Sequence, residues 1–259
     1  MMSSIKSLVL ISLITFSQCF GAFTFSFYPQ LFSNNLPIAP SEVISKKEVP
    51  IFDKVCGVAL DFMGTLSIEQ ISKNETEMLV ITADDNLLPE CKTTFNDGIL
   101  TISPKRQGIS INGNYTLRYT LKIKSLDTIN NITLSGSGSI NIKNLKSGNL
   151  IISLNGSGEI NIENLTCSTL EEKISGSGEI NIKFGKADTQ NISINGSGGV
   201  STEQLKGNGA YIKINGSGTA CVNIANNKIA GSIVGSGCVT NDGKVVLIHA
   251  NSPSTAAGE

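Results

Sequence analysis

Isoleucine and leucine recur in pairs two positions apart from about residue 132 onward, and these pairs flank a repeated Gly-Ser-Gly motif. The motif stands at 136–138, 156–158, 176–178, 196–198, 216–218 and 235–237. Four of its intervals are twenty residues and the last is nineteen. A spacing of two places both side chains of a pair on one face of a strand, and a fixed period of this length indicates a solenoid. The pattern therefore predicts an all-β fold, a single-stranded right-handed parallel β-helix (solenoid) with ~20-residue coils.

The glycines of each motif are expected to form a corner between two strands, because glycine accepts a positive φ and lets stacked backbones approach closely. The predicted structural turns are Gly136, Gly138, Gly156, Gly158, Gly176, Gly178, Gly196, Gly198, Gly216, Gly218, Gly235 and Gly237. Asn141, Asn161 and Asn181 alternate with the inward isoleucines, so they should point outward and stack as a ladder of amides. A looser third segment, marked by residues such as Phe184 and Leu205, closes the coil.

Ahead of the repeat, from Ile51, the chain consists of short β-prone runs without a fixed period. These runs are 58–62, 66–71, 78–82, 99–103 and 115–123. Asn96-Asp97-Gly98 predicts a tight hairpin turn, since Asp-Gly readily supplies a positive φ. No segment keeps an apolar period of 3.6 residues, so helices should be few.

The first residues have the pattern of an export signal. Lys6 precedes an apolar run from Leu8 to Phe16, and the small residues that follow predict cleavage after Gly21 or after Cys19. Cys19 also leaves a lipid anchor open as an alternative. No later stretch approaches the ~20 apolar residues of a membrane-spanning helix. The predicted organisation is a signal peptide at 1–21, a linker or arm at 22–48, the β-helix domain at 49–248 and a flexible tail at 249–259. The protein is expected in the periplasm, on the outer membrane surface or outside the cell.

Composition narrows the classes of function. The formal net charge is −1, and no basic stripe occurs, so nucleic acid is not an expected partner. Charged residues make up 16% and aromatic residues 5% of the chain, with no Trp. This aliphatic composition, rich in Asn, Ser and Gly, favours stacked short strands over a globular enzyme.

Five cysteines follow the signal, at 56, 91, 167, 221 and 238, and none belongs to a C-x-x-C pair. Zinc and thioredoxin-type sites are therefore not expected. Export permits disulfides, for which Cys56 with Cys91 and Cys221 with Cys238 are the first pairs to test. The alternative is that these cysteines are small buried thiols.

The sequence offers little for catalysis. Its one histidine, His249, lies beyond the last repeat, and no G-x-S-x-G elbow occurs. We therefore expect no catalytic residues, no cofactor and no metal. The doublet at Asp84 and Asp85 is interpreted as a solvated turn. Glu172 stands where isoleucine is expected, which indicates a bulge or an exposed lateral surface.

Glu159 and Glu179 should stack ~5 Å apart on successive coils. Their mutual repulsion could be relieved by Lys143, by Lys183 or by a weakly held cation. Calcium would be the most plausible ion, yet the glycine- and aspartate-rich nonapeptide that binds it in other β-rolls is missing from this sequence.

Two blocks of motifs resemble the bacterial head GIN domain family, whose members are described as putative autotransporter adhesins. The first block is Val49-Pro50-Ile51-Phe52-Asp53, then the run 81–88 (ITADDNLL) and the run 97–102 (DGILTI); the second is the Ser-Gly-Ser-Gly turn at 135–138 with its copies. The resemblance covers roughly residues 49–248 and implies an exported β-helical protein of the bacterial envelope. Many members place Asp after the turn, whereas here only Glu159 and Glu179 are acidic at that position, so a repeated cation site is not expected.

Together these features predict an exported, surface-exposed or secreted, non-enzymatic adhesion or binding module. It would bind a host-surface or glycan ligand along a lateral face, as solenoids commonly do. One alternative is a carbohydrate-active β-helix enzyme, a polysaccharide lyase or hydrolase. It predicts a groove lined by carboxylates from at least two coils, with a perturbed acid beside Lys or Arg. The other alternative is a purely structural envelope protein.

Overall fold

A computed structural model describes residues 37–225, 228–246 and 248, and within them it contains seventeen strands and one short 3-10 helix at Leu88–Glu90. The strands are β1 Ile44–Pro50, β2 Gly57–Leu60, β3 Thr65–Gln70, β4 Met78–Asp84, β5 Cys91–Asn96, β6 Ile99–Pro104, β7 Leu117–Ile123, β8 Asn131–Gly136, β9 Ser139–Lys146, β10 Asn149–Gly156, β11 Glu159–Gly176, β12 Glu179–Gly196, β13 Gly199–Gly216, β14 Thr219–Ile224, β15 Ile229–Gly235, β16 Cys238–Asn241 and β17 Lys244–Val245. The predicted signal peptide with Cys19, most of the arm, and the tail with His249 lie outside the described residues.

The repeat forms a parallel β-solenoid, as predicted. Strands β11, β12 and β13 each run 18 residues from one Gly-Ser-Gly corner to the next, and each pairs in parallel with the equivalent strand of the next coil. The register equals the sequence period, so Ile160 aligns with both Ile140 and Ile180. Side chains two apart along each strand share a face, and those facing inward form columns of buried isoleucine and leucine.

The coil beneath the repeat comes from a distant part of the chain. Strands β2 and β3 pair in parallel with β8 and β9 on one side, and with β6 and β7 on the other. The segment at 71–130, which lies between β3 and β8, therefore stacks on the β2–β3 coil on the side away from the repeat. There β1, β4 and β7 pair antiparallel, and β5 and β6 form the expected hairpin with positive φ at Asp97 and Gly98.

Part of the predicted arm is regular structure. Residues from Ile44 onward belong to β1, which pairs along its whole length with β4 from Ile44 with Asp84 to Pro50 with Met78. Pro50 is compatible with this place because it ends an edge strand, where a missing N–H donor costs least. The irregular segment predicted from the prolines of the arm therefore extended several residues too far, into β1.

Glycine occupies the corners for two different reasons. The first glycine of each motif has a φ between 118° and 130°. From Gly156 onward, a Cβ on this glycine would also collide with the carbonyl oxygen of the matching glycine one coil earlier. The second glycine lies inside the turn, where there is no room for a side chain: a Cβ on Gly178 would lie 2.5 Å from the carbonyl oxygen of Gly158. Outside the motif, Gly185 combines both features and aligns with Leu165 and Leu205.

Glu172 lies inside the solenoid, which corrects the expectation of a bulge or an exposed surface. The register continues without interruption, and Glu172 aligns with Ile152 and Ile192. The side chain is fully buried, and among the described residues neither carboxylate oxygen has a hydrogen-bond partner. Burial raises the pKa of this carboxyl from 4.5 to about 8. One coil further, the buried hydroxyl of Thr202 donates to Oε1 of Gln190 over 3.1 Å.

The five described cysteines are free thiols, so neither predicted disulfide is present in the structure. Cys221 aligns with Thr240, while Cys238 aligns with Thr219. Diagonal neighbours of this kind have Cα atoms ~7–8 Å apart, beyond the usual span of a disulfide. The Cys91 thiol is buried 3.7 Å from the Tyr119 hydroxyl, and burial is the main cause that raises its pKa. Burial is also the main cause that raises the pKa of Cys167, to about 12.

Candidate functional site: a lateral groove across the coils

The outer surface of β7, β3, β9 and the first parts of β11, β12 and β13 carries regular columns of polar side chains, and we call this surface the groove face. Its central column is Ser67, Asn141, Asn161, Asn181 and Ser201, all half-buried. Asn161 donates from Nδ2 to Oδ1 of Asn141 over 3.2 Å, and Asn181 donates to Asn161 over the same distance. The predicted outward amide ladder is therefore formed.

Beside the amide ladder runs a column of alternating charge. Its members are Lys122, Glu69, Lys143, Glu163, Lys183 and Glu203. The strand registers place these residues on successive coils, ~4.8 Å apart. All except Lys122 are exposed, and within the described residues none of the six forms an ion pair within 4.0 Å. The opposite charges therefore compensate one another without direct ion pairs, and the charged groups of the exposed side chains stay accessible to a ligand.

The two columns line a groove. Its larger hollow, about 460 Å³, extends from Ser67 and Glu69 across Lys143 and Glu163 to Lys183. A second hollow of about 220 Å³ shares Lys183 and continues to Glu203. Phe184 borders the second hollow with 47% of its surface exposed, so it faces outward and does not close the core as expected. Its outward direction follows from its alignment with the outward Asn164.

Glu159 and Glu179 lie on the groove face and align as expected, but their repulsion is relieved in another way. Oε1 of Glu159 accepts a hydrogen bond of 2.9 Å from the Asn181 amide. Among the described residues, neither Lys143 nor Lys183 forms an ion pair with them. The amide ladder therefore supports one of the two carboxylates, which no reasoning from charge alone would have indicated.

Asp84 has a structural role that differs from the solvated turn expected for it. The side chain is buried, and its two oxygens accept the backbone N–H groups of Glu42 and Thr116, each over 2.8 Å. This carboxylate therefore joins the residues just before β1 to the loop that leads into β7. Asp85 beside it is exposed.

The groove contains carboxylates from more than one coil, as the enzyme alternative requires. However, the carboxyl whose pKa is raised lies elsewhere. A general acid needs a pKa near the working pH and contact with the substrate. Glu172 is the described carboxyl with a raised pKa, and it is sealed inside the core, away from the groove. Among the described residues, no three His, Cys, Asp or Glu side chains are grouped as metal ligands would be.

A capped parallel β-solenoid with a polar lateral groove defines a class of proteins that present extended surfaces instead of deep pockets. The family model described as putative auto-transporter adhesin, head GIN domain, matches residues 60–244. The chain therefore belongs to this family. None of the curated proteins matches it. In the described part of the chain, no helix is long and apolar enough to cross a membrane.

Solved structures share the fold at low sequence identity. A putative adhesin from Bacteroides fragilis is 19% identical, with a TM-score of 0.67 over 79% of this chain and 99% of that one. A putative lipid binding protein from Parabacteroides distasonis is 21% identical, with a TM-score of 0.61 over 80% and 99%. A putative adhesin from Parabacteroides merdae is 22% identical, with a TM-score of 0.53 over 79% and 98%. Neither the family description nor these names is that of an enzyme.

The twenty-residue period already indicated part of the charge column that lines the groove. Lys143, Glu163, Lys183 and Glu203 are twenty residues apart, so they had to share one column. Lys122 on β7 and Glu69 on β3 could not be added from the sequence, because both strands lie outside the twenty-residue repeat. Arg118, which also lies on β7, was missed for the same reason.

Proposed function

We propose that the protein is an exported, surface-exposed or secreted adhesion module without enzymatic activity, and that it binds an extended glycan along the groove face. The observation that carries this proposal is the alternating charge column beside the amide ladder. It offers donors and acceptors at the spacing of the coils over ~24 Å. A ligand rich in hydroxyl groups can use both kinds of partner at once, and the rigid strands hold the side chains in place before binding.

The amides have unused hydrogen-bonding capacity. Each Asn carries two N–H donors and two lone pairs on its oxygen, and the ladder uses at most one of each between neighbours. Asn181 is the exception among the donors, because it also donates to Glu159. The exposed ammonium and carboxylate groups beside them add charge-assisted hydrogen bonds, which are stronger than neutral ones. Phe184 adds an exposed apolar surface at the far end of the groove, against which one face of a sugar ring can lie.

The alternating charges also stabilise the sheet, so a test has to separate binding from folding. Opposite charges on adjacent strands contribute ~0.2–1 kcal/mol per pair to stability. The enzyme alternative has no comparable support, since the described acid with a raised pKa is inaccessible from the groove. The name of the structural relative described as a lipid binding protein would favour an apolar hollow, whereas the lining of this groove combines charged and amide side chains with isoleucines.

Neutralising the groove lysines is expected to weaken glycan binding while the protein stays folded. The double variant Lys143→Gln/Lys183→Gln removes two exposed positive charges from the groove. We expect at least about a tenfold loss of affinity for any oligosaccharide that the wild-type protein retains on a glycan array. The matched control is Lys173→Gln/Lys186→Gln, whose lysines lie outside the groove and pair with Glu171 and Asp188.

Thermal unfolding of both double variants gives the stability reference. Binding that is reduced in the groove variant and unchanged in the control, at similar melting temperatures, supports the proposal. Equal binding by wild type and groove variant contradicts the groove as the binding site. If the array retains no glycan, the proposal fails and a purely structural role in the envelope takes its place.

A further inference from the structure

A separate hollow of about 310 Å³ lies at the capped end of the groove face, around the side chain of Arg118. Thr65, Ser137 and Ser139 line it together with Tyr115, whose ring is 41% exposed. Strand register explains this grouping: Arg118 of β7 aligns with Thr65 of β3, which in turn aligns with Ser139 of β9. Ser137 comes from the first Gly-Ser-Gly corner. One cationic fork is therefore surrounded by hydroxyl groups from four segments of the chain.

Arg118 is unpaired within the described part of the chain. The sequence contains two arginines, and the other one, Arg106, pairs with Glu90 over 3.1 Å. Arg118 has neither an ion pair nor a side-chain hydrogen bond to the described residues. Its aligned partners on both sides, Thr65 and Thr82, carry hydroxyls where carboxylates would be expected beside an arginine. The guanidinium therefore has all five of its donors available.

The hydroxyls around it can donate to an acceptor in the hollow. Ser139 donates its hydroxyl hydrogen to Oγ1 of Thr65 over 3.1 Å, so the hydrogen of Thr65 is left for another acceptor. Tyr115 and Ser137 bring further O–H donors to the same hollow. Donors around a guanidinium suit an oxyanion, because its oxygens accept several hydrogen bonds and match the planar fork of arginine.

The acidic residues of this region do not occupy the hollow. Both oxygens of Asp84 are engaged by backbone N–H groups. In the same column as Arg118, the first acidic residue is Glu159, three strands away and therefore ~14 Å distant. At physiological ionic strength this exceeds the Debye length of ~8 Å, so Glu159 repels a bound anion only weakly.

We infer that Arg118, with the hydroxyls of Thr65, Ser137, Ser139 and Tyr115, binds an oxyanion substituent of an acidic glycan. This inference rests on the proposed function and names the kind of glycan that the groove face takes. The substituent is a carboxylate, a sulfate ester or a phosphate ester, since each offers two oxygens that can accept the paired N–H groups of an arginine. The remainder of the sugar chain extends from this hollow along the amide ladder.

The test combines free anions with matched oligosaccharides. Backbone amide NMR of the purified protein is followed during titration with inorganic sulfate, inorganic phosphate and glucuronate, which distinguishes the three sources. Saturable shifts at Thr65, Ser137 and Ser139 are expected with at least one anion. Arg118→Met is expected to weaken the binding by at least about tenfold, and Arg118→Lys by less, because lysine keeps the charge without the fork.

Arg106→Met is the control, since it removes the other arginine at a site outside the hollow. It should titrate like the wild-type protein. Unsaturable shifts with all three anions, or equal affinity in wild type and Arg118→Met, would overturn the inference.

On the glycan array, acidic oligosaccharides are compared with their uncharged counterparts. If both are retained equally and Arg118→Met changes nothing, the anion site fails and the glycan-binding groove stands. If anions bind at Arg118 and no oligosaccharide is retained, the anion site stands and the proposed function fails. The two failures are therefore distinguishable.

Discussion

Replacing Glu172 with isoleucine is expected to raise the free energy of unfolding by about 3 kcal/mol at pH 7. The carboxyl is fully buried between Ile152 and Ile192, and its pKa rises from 4.5 to about 8 in the folded protein. The folded state therefore binds a proton that the unfolded chain has released at neutral pH. Each pKa unit between the unfolded value of 4.5 and pH 7 corresponds to about 1.36 kcal/mol. Isoleucine removes this penalty and continues a column that already consists of isoleucine.

The pH dependence gives the sign of the effect. An acid whose pKa is raised on folding contributes stability that is fully present below its unfolded pKa and is lost as the pH rises through its folded pKa. For the wild-type protein, the contribution of Glu172 to the free energy of unfolding should therefore fall between pH 4.5 and about 8. In the isoleucine variant this part of the slope should vanish. Urea unfolding measured across that range, in both proteins, checks it.

Two further variants distinguish titration from packing. Glu172→Gln removes the ionisable group but leaves an amide without partners, so it should abolish the slope with a smaller gain in stability than isoleucine gives. Glu171→Gln changes the neighbouring carboxylate, which pairs with Lys173 at the surface, and should have little effect. An isoleucine variant less stable than the wild type at every pH would show that the carboxylate has a stabilising partner inside the solenoid.

Glu172 also shows why the sequence pattern succeeded for the fold and failed for this residue. A charged residue in an apolar column is expected to force a bulge, since burying it is costly. However, a slip of one residue would turn Leu170 and Ile174 outward together with it. The register is held by sixteen aligned pairs between β11 and β12, so the strand keeps its alignment. The carboxyl therefore remains inside, where burial favours its protonated form.

The segment ahead of the repeat was less predictable, for a different physical reason. Its short runs indicated strands, and the Asp97-Gly98 turn indicated the hairpin. Antiparallel pairs such as β1 with β4 have no fixed period, so nothing in the sequence showed which strands are neighbours. The amide ladder followed from the twenty-residue period, whereas the hollow at Arg118 depends on the stacking of β7 against β3.

Replacing Gly176 with alanine is expected to destabilise the protein by roughly 2–6 kcal/mol, since two costs combine. Gly176 has a φ of 130°, a conformation that costs a residue with a Cβ on the order of 1–3 kcal/mol. The new Cβ would also lie 2.4 Å from the carbonyl oxygen of Gly156, so the backbones of two coils would have to separate, which adds about 1–3 kcal/mol. Thermal and urea unfolding measure the loss.

Gly148→Ala is the matched control, since a Cβ there meets no atom within 4 Å and φ is not positive. It should leave the stability unchanged within ~0.5 kcal/mol. Gly178→Ala separates the two costs, because this glycine lacks the positive φ but has the carbonyl oxygen of Gly158 at 2.5 Å from a Cβ. We expect it to lie between the other two variants. Because each coil contacts only its neighbours, the damage should be greatest in amide exchange next to the substituted corner. Equal stability of Gly176→Ala and Gly148→Ala would contradict close stacking at the corner as the reason that glycine recurs there.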